Sequence, residues 1–514
     1  MNKKSYIEFI FLIILGILTS LSLPPFNYWI INFFTFSLFF IFLIKKSDHH
    51  NDKKLFFFYG WLFGFGYFIS NLYWISISLT FDQNFKFLIP FTVFLIPAFL
   101  SIFYGLISCT FILFKQKKIF TSFLIFSLIF GIIEFLRGSI LTGFPWNLIV
   151  FSLSNQLELL SATSIIGTYG FNLLCISLFT SPAIVILTNT KKSLSVCFVF
   201  WIIFVIFYIY GSFYEKKFNI ADIKKYDHKI RVIGSNISLE RFYSGIDAVN
   251  IIEELIEISN PNLSQKIIFV WPEGILPGVY QKELKKYHKI FEKNFNNNHL
   301  LIIGTNTQLI NNGNKDYFNS LSIYNSKLDL LNTYNKINLV PCGAFLTVEN
   351  ILKKIGLKSL TNNYQSFSSG DQREIIDIKY QDFSLKILPL ICYEIIYSGK
   401  LFKNTDFDLI INISEDGWFG QSIGPKQHFV HSILRAIQSG KYVVRSSNNG
   451  MAGIVNPLGV IEKKVDIGKS GYIDLKEIRK IQPTIFSIYG NKIFGFLILL
   501  YIFFIFSFNK IKNE

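Results

Sequence analysis

Residues 386–394, Lys-Ile-Leu-Pro-Leu-Ile-Cys-Tyr-Glu, form an apolar run that ends on a cysteine, followed by an aromatic residue and a carboxylate. A run of this length that is rich in Ile and Leu is typical of a buried β-strand. Cys392 would then lie at the rim of a sheet, where the next turn begins. If a helix begins there, its N-terminal N–H groups favour the thiolate over the thiol. The stretch therefore predicts a nucleophile, and a buried structural cysteine is the alternative.

Short β-rich runs alternate with helical patterns on both sides of this strand. The predicted helices are Ala248–Ile258, Lys282–Phe295 and Gln427–Gly440. The predicted strands are Ile230–Ile237, Ile267–Trp271, Leu300–Asn306, Asn319–Asn325, Leu330–Tyr334, Leu385–Ile391, Asp408–Ile413 and Tyr442–Arg445. The fourth and fifth of these strands form a predicted hairpin. Strands that alternate with helices at this spacing indicate an α/β domain with a layered sheet.

The rest of the chain has the composition of an integral membrane protein. Of its 514 residues, 51% are hydrophobic and 58 are Phe. A membrane-spanning helix needs about 20 mostly apolar residues. Apolar blocks that meet or approach this length occur at about 6–23, 28–44, 55–79, 87–114, 119–137, 160–188, 194–213 and 493–508. We therefore expect a polytopic α-helical membrane protein with seven helices in 1–213, an extramembrane domain in 214–492, and an eighth helix and tail in 493–514.

Lysines in the connecting segments predict the orientation of this membrane protein. They occur before the first block and after the second, fourth, sixth and eighth, at Lys3, Lys4, Lys45, Lys46, Lys53, Lys54, Lys115, Lys117, Lys118, Lys191, Lys192, Lys510 and Lys512. The alternate segments carry little beyond Lys86 and Arg137. Because positively charged loops stay in the cytoplasm, both termini are expected there, and the 214–492 domain in a periplasm or its equivalent. The net charge of +16 comes from scattered lysines, so it does not indicate nucleic-acid binding.

One membrane stretch carries ionisable residues. Glu134 and Arg137 lie three residues apart near the end of a predicted helix, and Gly143 and Pro145 follow. An ionisable pair at membrane depth is either structural or part of a functional site. The Gly and Pro residues predict a broken or re-entrant segment behind the helix.

Three motifs in the α/β domain place one ionisable residue each at or near a strand end. They are Trp271-Pro272-Glu273, Tyr334-Asn335-Lys336 and Ile391-Cys392. The carboxyl edge of an α/β sheet is where such sites form. A carboxylate can take the thiol proton, a lysine can stabilise the thiolate and an oxyanion, and a thiolate can hold an acyl group as a thioester. Taken singly, a Glu or Lys such as Glu273 or Lys336 is more often a solvated surface charge than a catalytic group.

In this order the three motifs resemble the Glu-Lys-Cys signature of the carbon–nitrogen hydrolase (nitrilase) superfamily, and the flanking helices make the chain similar to the bacterial apolipoprotein N-acyltransferases. Further matching motifs are Leu23-Pro24-Pro25-Phe26, Gly143-Phe144-Pro145-Trp146, Leu339-Val340-Pro341, Asn412-Ile413-Ser414, Trp418-Phe419-Gly420, Gln427-His428 and Arg445-Ser446-Ser447-Asn448-Asn449-Gly450. The resemblance implies an αββα sandwich for the extramembrane domain. It covers nearly the whole chain.

The resemblance also implies a reaction. An acyl chain moves from a phospholipid, usually phosphatidylethanolamine, to the cysteine, and then to the α-amino group of a diacylglyceryl-cysteine at a lipoprotein N-terminus. Carried over by motif, Glu273 is the proton acceptor, Lys336 the oxyanion and thiolate stabiliser, and Cys392 the nucleophile, while Tyr393 and Glu394 support them. The family acts in the bacterial inner membrane without metal or cofactor, and nothing in the sequence requires more than a monomer.

Two histidines could suggest a metal site. His428 and His431 share one face of a predicted helix, but no third ligand lies nearby in the sequence. We therefore interpret both as structural.

The chain departs from the family pattern at several positions. A glutamate that is thought to position the lysine is Ala344 here, and Glu349 or Glu394 could replace it. Glu415 stands where Asn is usual, and Asn491 replaces an Asp. Two other functions therefore remain open: a membrane-tethered nitrilase-type amidase, and a catalytically weak relative that binds lipid or lipoprotein.

Overall fold

The computed structural model describes residues 3–81, 83–243, 247–311, 314–340, 367–401 and 404–510. The chain forms two compact units, one made of 1–216 with 484–514 and the other of 217–483. Ala344 and Glu349 lie outside the described residues, so the structure does not address the departure predicted there.

The first unit is helical, and each of the eight apolar blocks forms helix. Its helices are α1 (Lys3–Ser20), α2 (Ile31–Ser47), α3 (Lys53–Leu72), α4 (Ile89–Phe114), α5 (Ile119–Arg137), α6 (Leu157–Leu160), α7 (Thr163–Thr180), α8 (Pro182–Thr188), α9 (Lys191–Asn219), then α13 (Ile485–Tyr489) and α14 (Lys492–Lys510) after the second unit. Short 3-10 segments cover Tyr73–Thr80, Gln83–Leu88 and Ile149–Leu153.

Six helices among the described residues are long and apolar enough to cross a membrane. They are Lys53–Thr80, Lys86–Phe114, Ile119–Arg137, Thr163–Thr188, Lys191–Asn219 and Lys492–Lys510. The first two helices, α1 and α2, are shorter, with 18 and 17 residues. The chain is a polytopic α-helical membrane protein, as the apolar blocks predict.

Glu134 and Arg137 form a buried ion pair at the end of α5. The Arg137 guanidinium also donates hydrogen bonds to the carbonyl oxygens of Phe144 and Asn147. Residues 138–148 contain no helix, as Gly143 and Pro145 predict. The ion pair thus attaches this non-helical segment to the end of α5, which is a structural role.

The second unit is an α/β domain, and its described residues form twelve strands. The strands are β1 (Ile223–Ser235), β2 (Ile267–Val270), β3 (His299–Asn311), β4 (Asn314–Asn325), β5 (Leu330–Asn335), β6 (Ile376–Tyr380), β7 (Phe383–Ile391), β8 (Leu409–Glu415), β9 (Tyr442–Asn448), β10 (Ala452–Val455), β11 (Ile461–Val465) and β12 (Gly471–Arg479). The helices in the described part of this unit are α10 (Ala248–Ser259), α11 (His288–Asn294) and α12 (Gly424–Ser439), with 3-10 segments at Leu239–Phe242, Gln281–Tyr287, Cys392–Ile396 and Gly417–Phe419.

The strands form two six-stranded halves that are joined at one point. One half has the order β5-β4-β3-β2-β1-β12, and the other the order β6-β7-β8-β9-β10-β11. They meet where Gly234 and Ser235 of β1 pair with Ser447 and Asn448 of β9. Two such halves flanked by helices are what a layered sandwich requires.

Burial explains why the central strands read as apolar runs. Every residue of β2, β8 and β9 is buried, as expected of parallel strands that are covered on both faces. The apolar face of α10 packs against this sheet in one core, with Ile252, Leu255, Phe269 and Trp271 fully buried. The predicted 282–295 helix is instead a 3-10 segment followed by α11. The sequence interpretation missed β6, β10, β11 and β12.

The directions of the strands bring the carboxyl ends of several of them to one edge of the sheet. Strands β1, β2, β3, β7, β8 and β9 are parallel. Strand β4 is antiparallel to both β3 and β5, so β5 runs in the same direction as β3. The carboxyl ends of β2, β5, β7, β8 and β9 therefore face the same edge, where sites of α/β sheets form.

Candidate active site

The three sequence-predicted residues follow three of these strand ends. Glu273 comes three residues after β2, Lys336 directly after β5, and Cys392 directly after β7. A Cβ at Gly304 of β3 would lie 2.4 Å from the Pro272 carbonyl oxygen, so this glycine lets the Glu273 loop rest on the sheet. All three candidate side chains are buried.

The Glu273 carboxylate is held on both oxygens. Its Oε1 accepts hydrogen bonds from Lys336 Nζ at 2.8 Å and from Asn319 Nδ2 at 2.7 Å. Its Oε2 accepts from the Glu415 backbone N–H at 3.0 Å. The Lys336 backbone N–H in turn donates to the Asn319 carbonyl oxygen at 2.8 Å. Lysine, asparagine and a strand end thus fix the orientation of this carboxylate.

Cys392 adopts an unusual backbone conformation. Its φ is +50°, in the left-handed region that residues with a Cβ seldom occupy. Asn412 Nδ2 donates to the carbonyl oxygen of Leu390 at 3.2 Å and to that of Cys392 at 3.5 Å, which holds the turn from below. Strain of this kind is characteristic of functional sites, where the surrounding structure imposes it.

The surroundings of Cys392 favour the thiol over the thiolate. The pKa of Cys392 is raised to about 12, mainly by burial. The Glu273 carboxylate also raises this pKa, and its effect is larger than the opposite effect of Lys336. Only a five-residue 3-10 segment starts at Cys392 rather than a long helix, so little dipole is available to favour the thiolate. Because the thiolate is the nucleophilic form, a thiol in these surroundings needs a base before it can react.

Glu394 joins the cysteine turn to the lysine loop. Its carboxylate accepts hydrogen bonds from the backbone N–H groups of Ile391, Ile337 and Asn338 at 2.8, 2.9 and 3.1 Å. It also accepts from Tyr334 Oη at 2.8 Å and from Arg373 Nη2 at 2.6 Å. No hydrogen bond between Glu394 and Lys336 is described, so Glu394 acts on the lysine through its charge and through the loop.

Tyr393 lies between the candidate nucleophile and Glu394. Its ring packs edge-on against that of Tyr397, with 5.6 Å between the centroids, and the ring is buried. This contact supports the short segment that Cys392 begins.

A second charged cluster lies beside Cys392. Asp416 accepts hydrogen bonds from Ser414 Oγ at 2.7 Å and from Arg445 Nη2 at 2.9 and 2.8 Å, and it contacts His428 Nδ1 at 2.9 Å. Burial alone would raise the pKa of Asp416, but Arg445 and His428 outweigh it and hold that pKa well below its usual range. Burial and Arg445 also lower the pKa of His428 and so oppose protonation of its ring.

Together with Cys392, this cluster contains three residue types that can bind a metal. Ligand atoms of Cys392, Asp416 and His428 lie within 4.8 Å of one another, so two further candidate ligands are near His428 in space although none is near in the sequence. The Asp416 oxygens already accept from Arg445 and Ser414, and a guanidinium at this distance opposes a metal cation. The donor set therefore fits a compensated carboxylate better than a metal centre.

Sequence reasoning missed Asn319, Arg373 and Arg241. Each lies far along the chain from its partner carboxylate, and a single asparagine or arginine carries no local pattern that would indicate its partner. Glu415 was noticed only as a departure from the family pattern. The structure gives it a buried partner, Arg241.

Comparison with known proteins gives two family matches. Residues 15–181 match the family described as Apolipoprotein N-acyltransferase N-terminal domain, and residues 249–478 match Carbon-nitrogen hydrolase. Among solved structures, the Nesterenkonia AN1 amidase from the nitrilase superfamily is similar at a TM-score of 0.33 and 9% identity, over 50% of this chain and 93% of that one.

Full-length relatives cover both units. The apolipoprotein N-acyltransferase of Rickettsia prowazekii (strain Madrid E) is 33% identical over 96% of this chain and 96% of its own length. That of Rhodopseudomonas palustris (strain ATCC BAA-98 / CGA009) is 29% identical over 93% of this chain and 90% of its own length. On this identity and coverage, together with both family matches, the chain belongs to the apolipoprotein N-acyltransferase family.

Proposed function

We propose that this protein transfers an acyl chain from a phospholipid, through a thioester on Cys392, to the α-amino group of the N-terminal diacylglyceryl-cysteine of a lipoprotein. The observation that carries the proposal is the Glu273 carboxylate, held by Lys336, Asn319 and the Glu415 N–H beside a buried cysteine. In this proposal Glu273 is the proton acceptor, Lys336 the stabiliser and Cys392 the nucleophile.

In the first half-reaction Glu273 takes the thiol proton as Cys392 Sγ attacks the ester carbonyl carbon. The Lys336 ammonium stabilises the oxyanion of the tetrahedral intermediate. The ester C–O bond then breaks, and the lysophospholipid leaves as an alcohol that takes the proton from Glu273. Cys392 now carries the acyl group as a thioester.

In the second half-reaction the α-amino group of the acceptor attacks the thioester carbonyl. Glu273 takes the amine proton, the C–S bond breaks, and the proton returns to the Cys392 thiolate. The product is an amide. The burial of Cys392 supports this outcome, because excluding water favours aminolysis over hydrolysis.

Tyr393 and Glu394 support the nucleophile in this scheme. Glu394 holds the cysteine turn and the 336–338 loop together through backbone N–H groups. Fixing both loops lowers the cost of aligning Lys336 with the reacting carbonyl.

The lysine pattern supports a location in the bacterial inner (cytoplasmic) membrane, with both termini in the cytoplasm. Residues 1–213 and 493–514 then form the membrane part, and residues 214–492 the periplasmic catalytic domain. Phosphatidylethanolamine is the proposed donor, and a monomer suffices because all the proposed catalytic groups come from one chain.

The test is mass spectrometry of the purified full chain after incubation with phosphatidylethanolamine. We expect an acyl adduct on Cys392 that hydroxylamine removes and that a diacylglyceryl-cysteine peptide discharges as an amide. Cys392→Ser should abolish the adduct, and Cys109→Ser, in the helical unit, serves as the matched control. Release of fatty acid without amide would support the amidase alternative. Absence of any adduct would contradict acyl transfer and favour the lipid-binding alternative.

A further inference from the structure

The Glu273 oxygen that faces away from Lys336 is held by a strand end. Oε2 accepts from the backbone N–H of Glu415, the last residue of β8, at 3.0 Å. The position of that peptide therefore helps to set the direction of the candidate base. A displacement of a reacting group by about 1 Å can cost about 10²-fold in rate.

The Glu415 side chain is completely surrounded by donors. Its carboxylate accepts from Arg241 Nη2, from Asn448 Nδ2 at 2.8 Å, from the Gly417 N–H at 2.8 Å, and from Asn449 Nδ2 at 3.3 Å. Both members of the Arg241–Glu415 pair are buried. A buried carboxylate persists in its charged form only when it is paired and hydrogen-bonded.

Arg241 is itself fixed to another strand end. It lies in the 3-10 segment Leu239–Phe242 that follows β1, and its Nη1 donates to the carbonyl oxygens of Ile237 and Ser238 at 3.2 and 2.9 Å. Asn448 Nδ2 also donates to the Ile237 carbonyl oxygen, at 2.9 Å. The pair thus joins the loop after β1 to the end of β8, on the side that holds Glu273.

The charge at position 415 requires this arginine. Its partner Arg241 lies 174 residues away along the chain, and the fold brings the two side chains together. Removing the charge of either partner alone leaves the other charge buried and unpaired, next to the peptide that contacts the candidate base. Removing both charges together leaves no unpaired charge there.

We propose that Arg241 and Glu415 form a positioning pair that fixes the Glu415 peptide against Glu273 and so orients the base toward Cys392. The inference rests on the proposed function, since it assigns Glu273 the role of base. Among the described hydrogen bonds, neither side chain of the pair contacts Glu273, Lys336 or Cys392. The effect of the pair passes through the hydrogen bond from the Glu415 backbone N–H to Glu273 Oε2.

Three variants of the full chain test the pair: Arg241→Met, Glu415→Gln and the double variant. Two rates are measured per folded molecule, namely alkylation of Cys392 by iodoacetamide and acylation by phosphatidylethanolamine, the latter with its apparent KM. We expect each single variant to slow both rates about 10-fold or more with little change in KM, as a misaligned base does. The double variant should recover to within about threefold of the wild type, because coupled partners are non-additive.

Three results would contradict the proposed role of the pair. They are single variants that react like the wild type, a double variant as slow as the single variants, and rate losses that only follow the folded fraction. The two proposals fail separately. A wild type that forms no acyl adduct contradicts the proposed function, while the alkylation rates of the variants still decide the pair. A wild type that acylates normally alongside an equally active Arg241→Met contradicts the pair alone.

Discussion

Lys336 Nζ donates a hydrogen bond to Glu273 Oε1 at 2.8 Å, and both side chains are almost completely buried. Burial alone would lower the pKa of Lys336, but the negative charge of Glu273 raises it above its ordinary value. A lysine with a raised folded-state pKa contributes stability that is complete below its unfolded value of about 10.4 and is lost only as the pH rises through the folded value. The Lys336 ammonium therefore stays charged throughout the neutral range.

Replacing Glu273 by Gln should remove the proton acceptor while keeping the shape of the side chain. We expect acylation of Cys392 by phosphatidylethanolamine to slow by about 10²- to 10⁴-fold, the usual contribution of a general base. Time-resolved intact mass spectrometry measures the rate. Glu292→Gln, at an exposed position, is the control and should acylate normally. An active Glu273→Gln variant would remove Glu273 from the mechanism.

The pH dependence of Cys392 alkylation follows from its thiol. With the pKa of Cys392 raised to about 12 by burial and Glu273, the iodoacetamide rate should keep rising well above pH 9, whereas a free thiol with a pKa of about 8.5 reaches its plateau there. In Glu273→Gln the loss of the nearby negative charge moves this alkaline rise to lower pH, while the loss of the base slows the reaction at neutral pH. The two profiles should therefore cross. A plateau below pH 9 in the wild type would contradict this.

Strand ends explain how far the site could be anticipated from sequence. Cys392 and Glu273 follow apolar runs that read as buried strands, and Lys336 follows one strand of a predicted hairpin, so local pattern predicts one edge for all three. Their catalytic roles stay a prediction. Burial and the neighbouring carboxylate oppose the thiolate that a helix N-terminus would favour, and both effects depend on three-dimensional packing that no local pattern contains.

The hydrogen-bond partners of the site carboxylates could not be predicted from the sequence, because they lie far away along the chain. Arg373 reaches Glu394, and Asn319 reaches Glu273, across sheet neighbours that only the fold defines. The neighbours of His428 show the same limit, since Cys392 and Asp416 come near it only in space. The edge strands β6 and β11 were missed because the strands that read clearly are continuous apolar runs, whereas β6 alternates between buried and exposed residues and β11 is mostly exposed.

Asn319 should help to hold the base. Asn319→Ala removes the donor at 2.7 Å from Glu273 Oε1, and a hydrogen bond to a charged group contributes about 1.5–3 kcal/mol. We expect acylation to slow about 10-fold or more with little change in apparent KM. Asn319→Asp should slow it further, because two adjacent carboxylates repel. Asn332→Ala, on the exposed face of β5, is the matched control, and a loss confined to KM would argue against this role.

Arg373 should stabilise the Glu394 junction. Arg373→Met leaves the buried Glu394 carboxylate without its cation, which costs about 3 kcal/mol or more for a buried pair. The effect is measured as the unfolding temperature in detergent and as the acylation rate, and we expect both to be lower than in the wild type. The double variant Arg373→Met/Glu394→Gln should unfold at a higher temperature than Arg373→Met alone. Lys379→Met, at an exposed cation, is the control, and an Arg373→Met variant as stable as this control would contradict the prediction.

Asp416 should make the domain sensitive to acid. Arg445 and His428 outweigh burial and hold the pKa of Asp416 well below its usual range. A carboxylate with a lowered folded-state pKa contributes stability that is complete above its unfolded value of about 3.9 and is lost as the pH falls below it.

Asp416→Asn should therefore lower the unfolding temperature at pH 7, where it leaves Arg445 buried without a counter-charge, and should matter less as the pH falls below about 4. Thermal unfolding of both proteins in detergent from pH 7 to pH 3 measures this, with Asp371→Asn as the control at an exposed carboxylate. If the unfolding temperatures of the wild type and of Asp416→Asn converge as the pH falls, the acid-sensitive group is Asp416. Curves that stay parallel would show that its charge does not titrate with unfolding, and the cluster beside Cys392 would then owe its stability to packing rather than to the Arg445–Asp416 pair.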